Sequence, residues 1–124
     1  MIRAVRGRRG AVAIEYAILL PALLVILLGI IDVGRLLWTQ TTLDRAVEAA
    51  SRCAAINATL CGTTLQVQTY AVGQAYGLQV TTAAFTVSAP ACGVNVQASL
   101  PFRLIIPWLA RTSLTLTAKS CYPL

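Results

Sequence analysis

The chain has 124 residues, with ten Lys/Arg against four Asp/Glu and no histidine, a formal charge of +6, and 57% hydrophobic residues at a mean hydropathy of +0.73. That length bounds one small domain, and that apolar content points to a membrane component. The charge is not a nucleic-acid signature: Arg3, Arg6, Arg8 and Arg9 supply four of the cations, and neither interleaved aromatics nor basic stripes follow them, so no nucleic-acid partner is expected.

Residues 1–10 form a basic leader ending in Arg8-Arg9-Gly10, and from Ala11 to Ile31 the chain is apolar except for Glu15. As a helix those 21 residues would span about 31 Å, the thickness of a hydrocarbon core. Positive charge before a first apolar helix holds that end in the cytoplasm, so residues 32–124 are expected on the far side of the inner membrane as an extracytoplasmic domain. The run exits into Ile30-Ile31-Asp32-Val33-Gly34-Arg35, without the small-residue cleavage pattern of a secretory signal. Arg8-Arg9 lacks the polar-then-apolar continuation of a twin-arginine signal and reads as leader charge. A carboxylate inside a membrane-length segment costs roughly 2.5 kcal/mol or more when unpaired, so Glu15 needs a partner, a route to the headgroups, or a purpose.

Gly10, four residues, then Glu15-Tyr16 at the mouth of an apolar helix resembles the type III signal of type IV prepilins, which a prepilin peptidase cuts after the glycine. The continuation Tyr16-Ala17-Ile18-Leu19-Leu20-Pro21 and Leu28-Gly29-Ile30-Ile31-Asp32-Val33-Gly34-Arg35 resembles more narrowly the TadE-like pseudopilins of tight-adherence (type IVb, Flp) systems. The segment Leu100-Pro101-Phe102-Arg103 through Pro107 to Thr115-Leu116-Thr117-Ala118 is similar to that family's C-terminal end. The resemblance implies processing at Gly10 and Ala11, with Glu15 and Tyr16 as part of the signal. It implies an assembly role for Glu15, which would pair with a subunit's N-terminal amine once cleavage exposes one. Implied partners are a prepilin peptidase, the tight-adherence secretion machinery and other pilin-like subunits, with surface adhesion and biofilm formation downstream.

The first helix is expected to continue to about Ile56, because Leu36, Leu43, Val47, Ala50 and Ala54 recur at helical spacing while Asp44, Arg45, Glu48 and Arg52 fall between them. Pro21 removes a backbone donor within the assembly helix and is expected to bend it. Ala13 and Ala17 are small residues four apart, a weak close-approach signal. After a break between Asn57 and Gly62, Thr63 to Ala75 reads as a short second helix with Leu65 or Val67, Tyr70, Ala71 and Ala75 inward. Three strands are expected at 78–87, 94–105 and 113–120, the middle one bent, bulged or at an edge because of Pro101. The fold class is therefore α+β: a long transmembrane-to-periplasmic helix, a short second helix and a small three-stranded antiparallel sheet.

Four cysteines in a small exported domain read as two disulfides, for which sequence alone permits three pairings. Cys53 with Cys61 is favoured by the fold-back after Asn57. Cys92 with Cys121 is favoured by a hairpin turning between Ile106 and Pro107, and would close a loop worth roughly 3 to 4 kcal/mol. There is no C-x-x-C and no histidine to complete a zinc set, so no metal or other cofactor is expected. There is no G-x-S-x-G elbow or phosphate-cradling glycine loop, and Asp44 and Glu48 are four apart on a solvated helix face, so no catalysis is expected. Asn57-Ala58-Thr59 matches a glycosylation acceptor by coincidence of three residues. The rivals are a permanently anchored single-pass protein that keeps its leader, and a thiol-redox enzyme with a reactive cysteine.

Overall fold

The computed structural model describes residues 6–106, 108 and 111–124, with side chains from Gly10 onward. One helix, α1 (Arg6–Ile56), is followed by a single turn, α2 (Ala58–Cys61), a third helix, α3 (Thr64–Gln74), a 3-10 turn (Thr82–Ala84), and the strands β1 (Phe85–Ser88), β2 (Val94–Phe102) and β3 (Leu114–Tyr122). The strands form an antiparallel sheet in the order β1-β2-β3. The α+β class and the long apolar N-terminal helix agree with the sequence reading.

At 51 residues, α1 is about 76 Å long and stays helical through Pro21. Its second half forms one wall of the core: Leu43, Ala46, Val47 and Ala50 are fully or almost fully buried, while Asp44, Arg45, Glu48 and Arg52 face solvent. Small residues at 46 and 50 let the sheet and α3 approach the helix closely. Buried Phe85, Val96, Ala98, Phe102, Leu116 and Ala118 come from the inner face of the sheet, and Val67, Ala71 and Ala75 from α3. The outer face carries Thr86, Ser88, Gln97, Ser99, Thr115, Thr117 and Lys119, the alternation expected of a half-solvated antiparallel sheet. The buried hydroxyl of Ser51 lies 3.0 Å from both the Glu48 carbonyl oxygen and Ser120 Oγ. It thus satisfies itself between its own helix and β3.

Helix α3 begins with a capping box, in which the Gln66 backbone N–H donates to Thr63 Oγ1 and Gln66 Oε1 accepts from the Thr63 N–H. That start sets the phase of the helix. Val67 is turned inward and Leu65 outward, at 65% exposure, which resolves the alternative the sequence left between them. The expected helix from Thr63 to Ala75 is shortened by its caps to Thr64–Gln74, and the Asn57–Gly62 break contains the extra turn α2, whose Leu60 N–H donates to Asn57 Oδ1.

The strand boundaries differ more. The first strand starts at Phe85 and not at Leu78, because the Ala84 N–H donates to the Thr81 carbonyl and winds the preceding residues into the 3-10 turn. The middle strand ends at Phe102, three residues short of the expected end. Pro101 is tolerated in it without a bulge: pairing with β3 is continuous from Val94↔Tyr122 to Phe102↔Leu114, whereas β1 pairs only as far as Ala98. Beyond Ala98 the central strand is an edge, where a missing N–H leaves no ladder bond unmade. The third strand runs one residue later at its start and two later at its end than expected.

The structure joins Cys53 to Cys61, with Cα atoms 5.8 Å apart, and Cys92 to Cys121, with Cα atoms 6.3 Å apart. The hairpin register expected from Cys92 facing Cys121 is corrected. Cys121 lies opposite Asn95, which centres the hairpin at Trp108 and not before Pro107; Pro107 itself lies outside the described residues. Cys92 reaches Cys121 because the chain turns back before β2, with the Gly93 N–H bonded to the Pro90 carbonyl and Gly93 at φ 124°. A side chain at Gly93 would strain this conformation and run into the Tyr122 carbonyl.

These burials predict that Phe85→Ala lowers unfolding stability by about 3–5 kcal/mol, while Leu65→Ala stays within about 0.5 kcal/mol of the parent. Denaturant unfolding of the chain in detergent micelles checks both.

Candidate assembly and anchoring site

Gly10, Ala11, Glu15, Tyr16 and Pro21 all lie on α1, and every residue from Gly10 to Leu27 is exposed. Nothing else in the described chain packs on this half of the helix. Thirteen large apolar side chains between Val12 and Ile31 are at least one-third exposed. At roughly 1.5–3 kcal/mol for each fully buried side chain, leaving them in water would forfeit on the order of 20–40 kcal/mol, more than the whole stability of a small domain. The segment therefore requires an apolar surrounding, and α1 is the one helix among the described residues long and apolar enough to cross a membrane.

Within the segment, residues four apart share a helix face, so Ala11 and Glu15 are one turn from each other on one side. Tyr16 opens an adjacent shallow apolar groove with Leu19, Leu20, Leu23 and Ile26. Pro21 is six positions beyond Glu15 and falls on a different face, so the structure does not bring Pro21 and Glu15 together. The cysteines are farther away still: Cys53 lies about 57 Å along the helix axis from Glu15. Among the described residues Glu15 makes no hydrogen bond or ion pair, and no cluster of His, Cys, Asp or Glu is placed to hold a metal. All four cysteines are paired in disulfides.

A second carboxylate at the other end of the apolar run has a different environment. Asp32 is only 2% exposed and receives the Ile105 N–H at 2.9 Å on both oxygens and the Ile106 N–H at 3.1 Å on Oδ2. Arg35, one turn further along, donates to Oδ1 at 3.2 Å, and its guanidinium lies 5.2 Å from the centre of the Phe102 ring. The Arg35 carbonyl in turn accepts from Thr39 Oγ1 at 2.8 Å. A buried carboxylate thereby satisfies two successive donors just past the end of β2, where the chain leaves the ladder and those N–H groups would otherwise be orphaned. This clamp fixes the segment after β2 to the helix one residue beyond the apolar run. The sequence reading gave Asp32 no role. Its local signals, an acid closing an apolar run with arginine three positions on, were present, but its main partners are backbone groups 73 and 74 residues away.

The TadE-like protein family matches residues 10–52. The match supports a TadE-like, pilin-like protein of tight-adherence systems, a family of pilus components and not of enzymes. It covers α1 from Gly10 almost to its end, including Glu15 and Asp32, and stops before α2. The C-terminal likeness noted from the sequence lies outside it. No curated protein and no solved structure gives a significant match.

Removing the Asp32 carboxylate should leave two part-buried donors without their acceptor, at up to about 1–3 kcal/mol each. Asp32→Ala is expected to lower the thermal midpoint of the detergent-solubilised chain clearly, and Asp32→Asn, which keeps one acceptor oxygen, to lower it less. Circular dichroism melts of the two variants check the order.

Proposed function

We propose that this TadE-like chain is a minor pilin or pseudopilin that works by assembly: a prepilin peptidase removes residues 1–10, residues 11–31 hold the subunit in the inner membrane, and residues 32–124 lie outside it. Its partners are other pilin-like subunits and the tight-adherence secretion machinery, and adhesion and biofilm formation follow from the pilus it supports. The observation that carries this reading is the bare stretch of α1 from Ala11 to Leu27: apolar but for Glu15, unpacked by the rest of the described chain, and bearing that one carboxylate a turn from the residue that cleavage would expose.

Physical chemistry gives that carboxylate its task. Cleavage after Gly10 creates an ammonium at Ala11, so a segment with one buried negative charge becomes a segment with one charge of each sign. In a low dielectric the two attract strongly, and a subunit whose Glu15 meets the ammonium of a neighbour neutralises both. Membrane insertion before cleavage is served by the leader arginines, which remain on the cytoplasmic side. The small side chain of Ala11 and the absence of one at Gly10 leave the backbone open to a protease at that bond.

Two substitutions separate processing from assembly. Gly10→Leu should leave the leader attached in cells with an active prepilin peptidase, read as an unshifted intact mass. Glu15→Ala should insert and be cut as the parent is, since removing a charge from an apolar helix eases entry, yet lose pilus-dependent adhesion. A native protein that retains its leader would favour the permanently anchored rival. Wild-type adhesion from a correctly processed Glu15→Ala chain would leave Glu15 as an interfacial charge without an assembly role.

A further inference from the structure

We propose that described residues between β2 and β3 make a second membrane contact, in which Ile105 and Trp108 enter the outer interface of the bilayer and Arg103 and Arg111 meet anionic phospholipid headgroups. The inference rests on the anchoring reading of residues 11–31 and adds to it a surface, a partner and a reason for the Asp32 clamp.

The first argument is height. The apolar run ends at Ile31, and the next residue holds the Ile105 and Ile106 N–H groups at 2.9 and 3.1 Å. Whatever depth Ile31 takes in the bilayer, the backbone at 105–106 is fixed within one residue of it along the helix. The clamp is buried and its partners are backbone groups, so this height does not depend on a flexible side chain reaching across. The second argument is composition. At and next to the clamped residues in sequence the chain exposes Ile105 at 46% and Trp108 at 69%, flanked by exposed Arg103 and Arg111. An indole and an aliphatic side chain beside arginines are the residues found where a protein meets lipid headgroups.

The third argument is charge. All four carboxylates of the chain, Glu15, Asp32, Asp44 and Glu48, lie on α1, and none follows Glu48. Asp32 is already engaged by two N–H groups and Arg35. Asp44, twelve residues further along, is about 18 Å above it. No acidic side chain lies near exposed Arg103 or Arg111 in sequence to neutralise them, and an anionic surface attracts such cations within a Debye length. A membrane contact on this side of α1 would stop the domain from tilting about its single anchor, since two separated contacts define an orientation that one helix leaves free.

The test uses the full chain reconstituted in vesicles of phosphatidylcholine with a minority of phosphatidylglycerol. Trp38→Phe leaves Trp108 as the only indole, and its emission is read with acyl chains brominated near the headgroup and with aqueous acrylamide. The proposal expects blue-shifted emission, strong quenching by the brominated lipid and protection from acrylamide. Asp32→Ala should shift Trp108 back toward water-like emission while the chain still resists alkaline extraction. Water-like emission with free acrylamide access in the parent background would overturn the contact while leaving the anchor standing. Protection from acrylamide without quenching by brominated lipid would overturn it in favour of a second subunit covering the loop. If the chain is extracted by alkali, the anchoring reading fails, and this inference with it.

Discussion

Everything in this molecule hangs on one helix that must satisfy two solvents. Between Ala11 and Ile31 α1 is apolar all round except for Glu15, which suits lipid or the packed core of a filament. From Leu36 onward it is apolar on one side only, and that side is the wall against which α3 and the sheet are built. The two regimes are joined without a break, because the described helix continues from Arg6 to Ile56. Among the described residues, α3 and the inner face of the sheet bury their apolar side chains against this stripe. The position of that core is therefore coupled to the apolar half of the same helix.

The distribution of negative charge follows from the same constraint. With every carboxylate on α1, the sheet and its loops are polar through Ser and Thr and cationic through a few Arg and Lys. The one lysine of the sheet, Lys119, lies on its outer face, so the negative charge of the buried acid at position 32 is met by backbone N–H groups and by an arginine of its own helix. Backbone donors make a stricter partner than a long cationic side chain. They cannot swing away, and they are available only where a strand has ended and its ladder has stopped.

How much of this could be read from the sequence depends on the range of each signal. The long helix was legible because its evidence is local: an apolar run, then a stripe of Leu43, Val47 and Ala50 at helical spacing. The α+β class followed from the change to Val, Thr and Ser after Gly77. Less local features were misplaced. The start of β1 was set by a 3-10 turn that competes for the Ala84 N–H, and the register of β2 with β3 by a turn at Gly93 that brings Cys92 back toward Cys121. The choice between Leu65 and Val67 depended on helix phase, which the Thr63 cap decides. Asp32 was invisible for a deeper reason: a residue whose partners are main-chain atoms leaves no complementary side chain elsewhere in the sequence to betray it.

The hairpin of β2 and β3 shows why a chain of this size uses two kinds of fastening. Its end away from the apolar run of α1 carries the Cys92–Cys121 bridge, and the end of α1 on that side carries Cys53–Cys61. Its other end, beside the helix exit, is fastened by Asp32. A covalent link restrains the unfolded chain and asks only that two sulfur atoms be brought together in an oxidising compartment. A carboxylate clamp does little for the unfolded chain but fixes the direction of two successive N–H groups, and with them the path of the loop. The staples are thus suited to holding a small core together, and the clamp to setting where the loop sits relative to the helix. In a chain whose core is built on one long helix, the second requirement is as strict as the first.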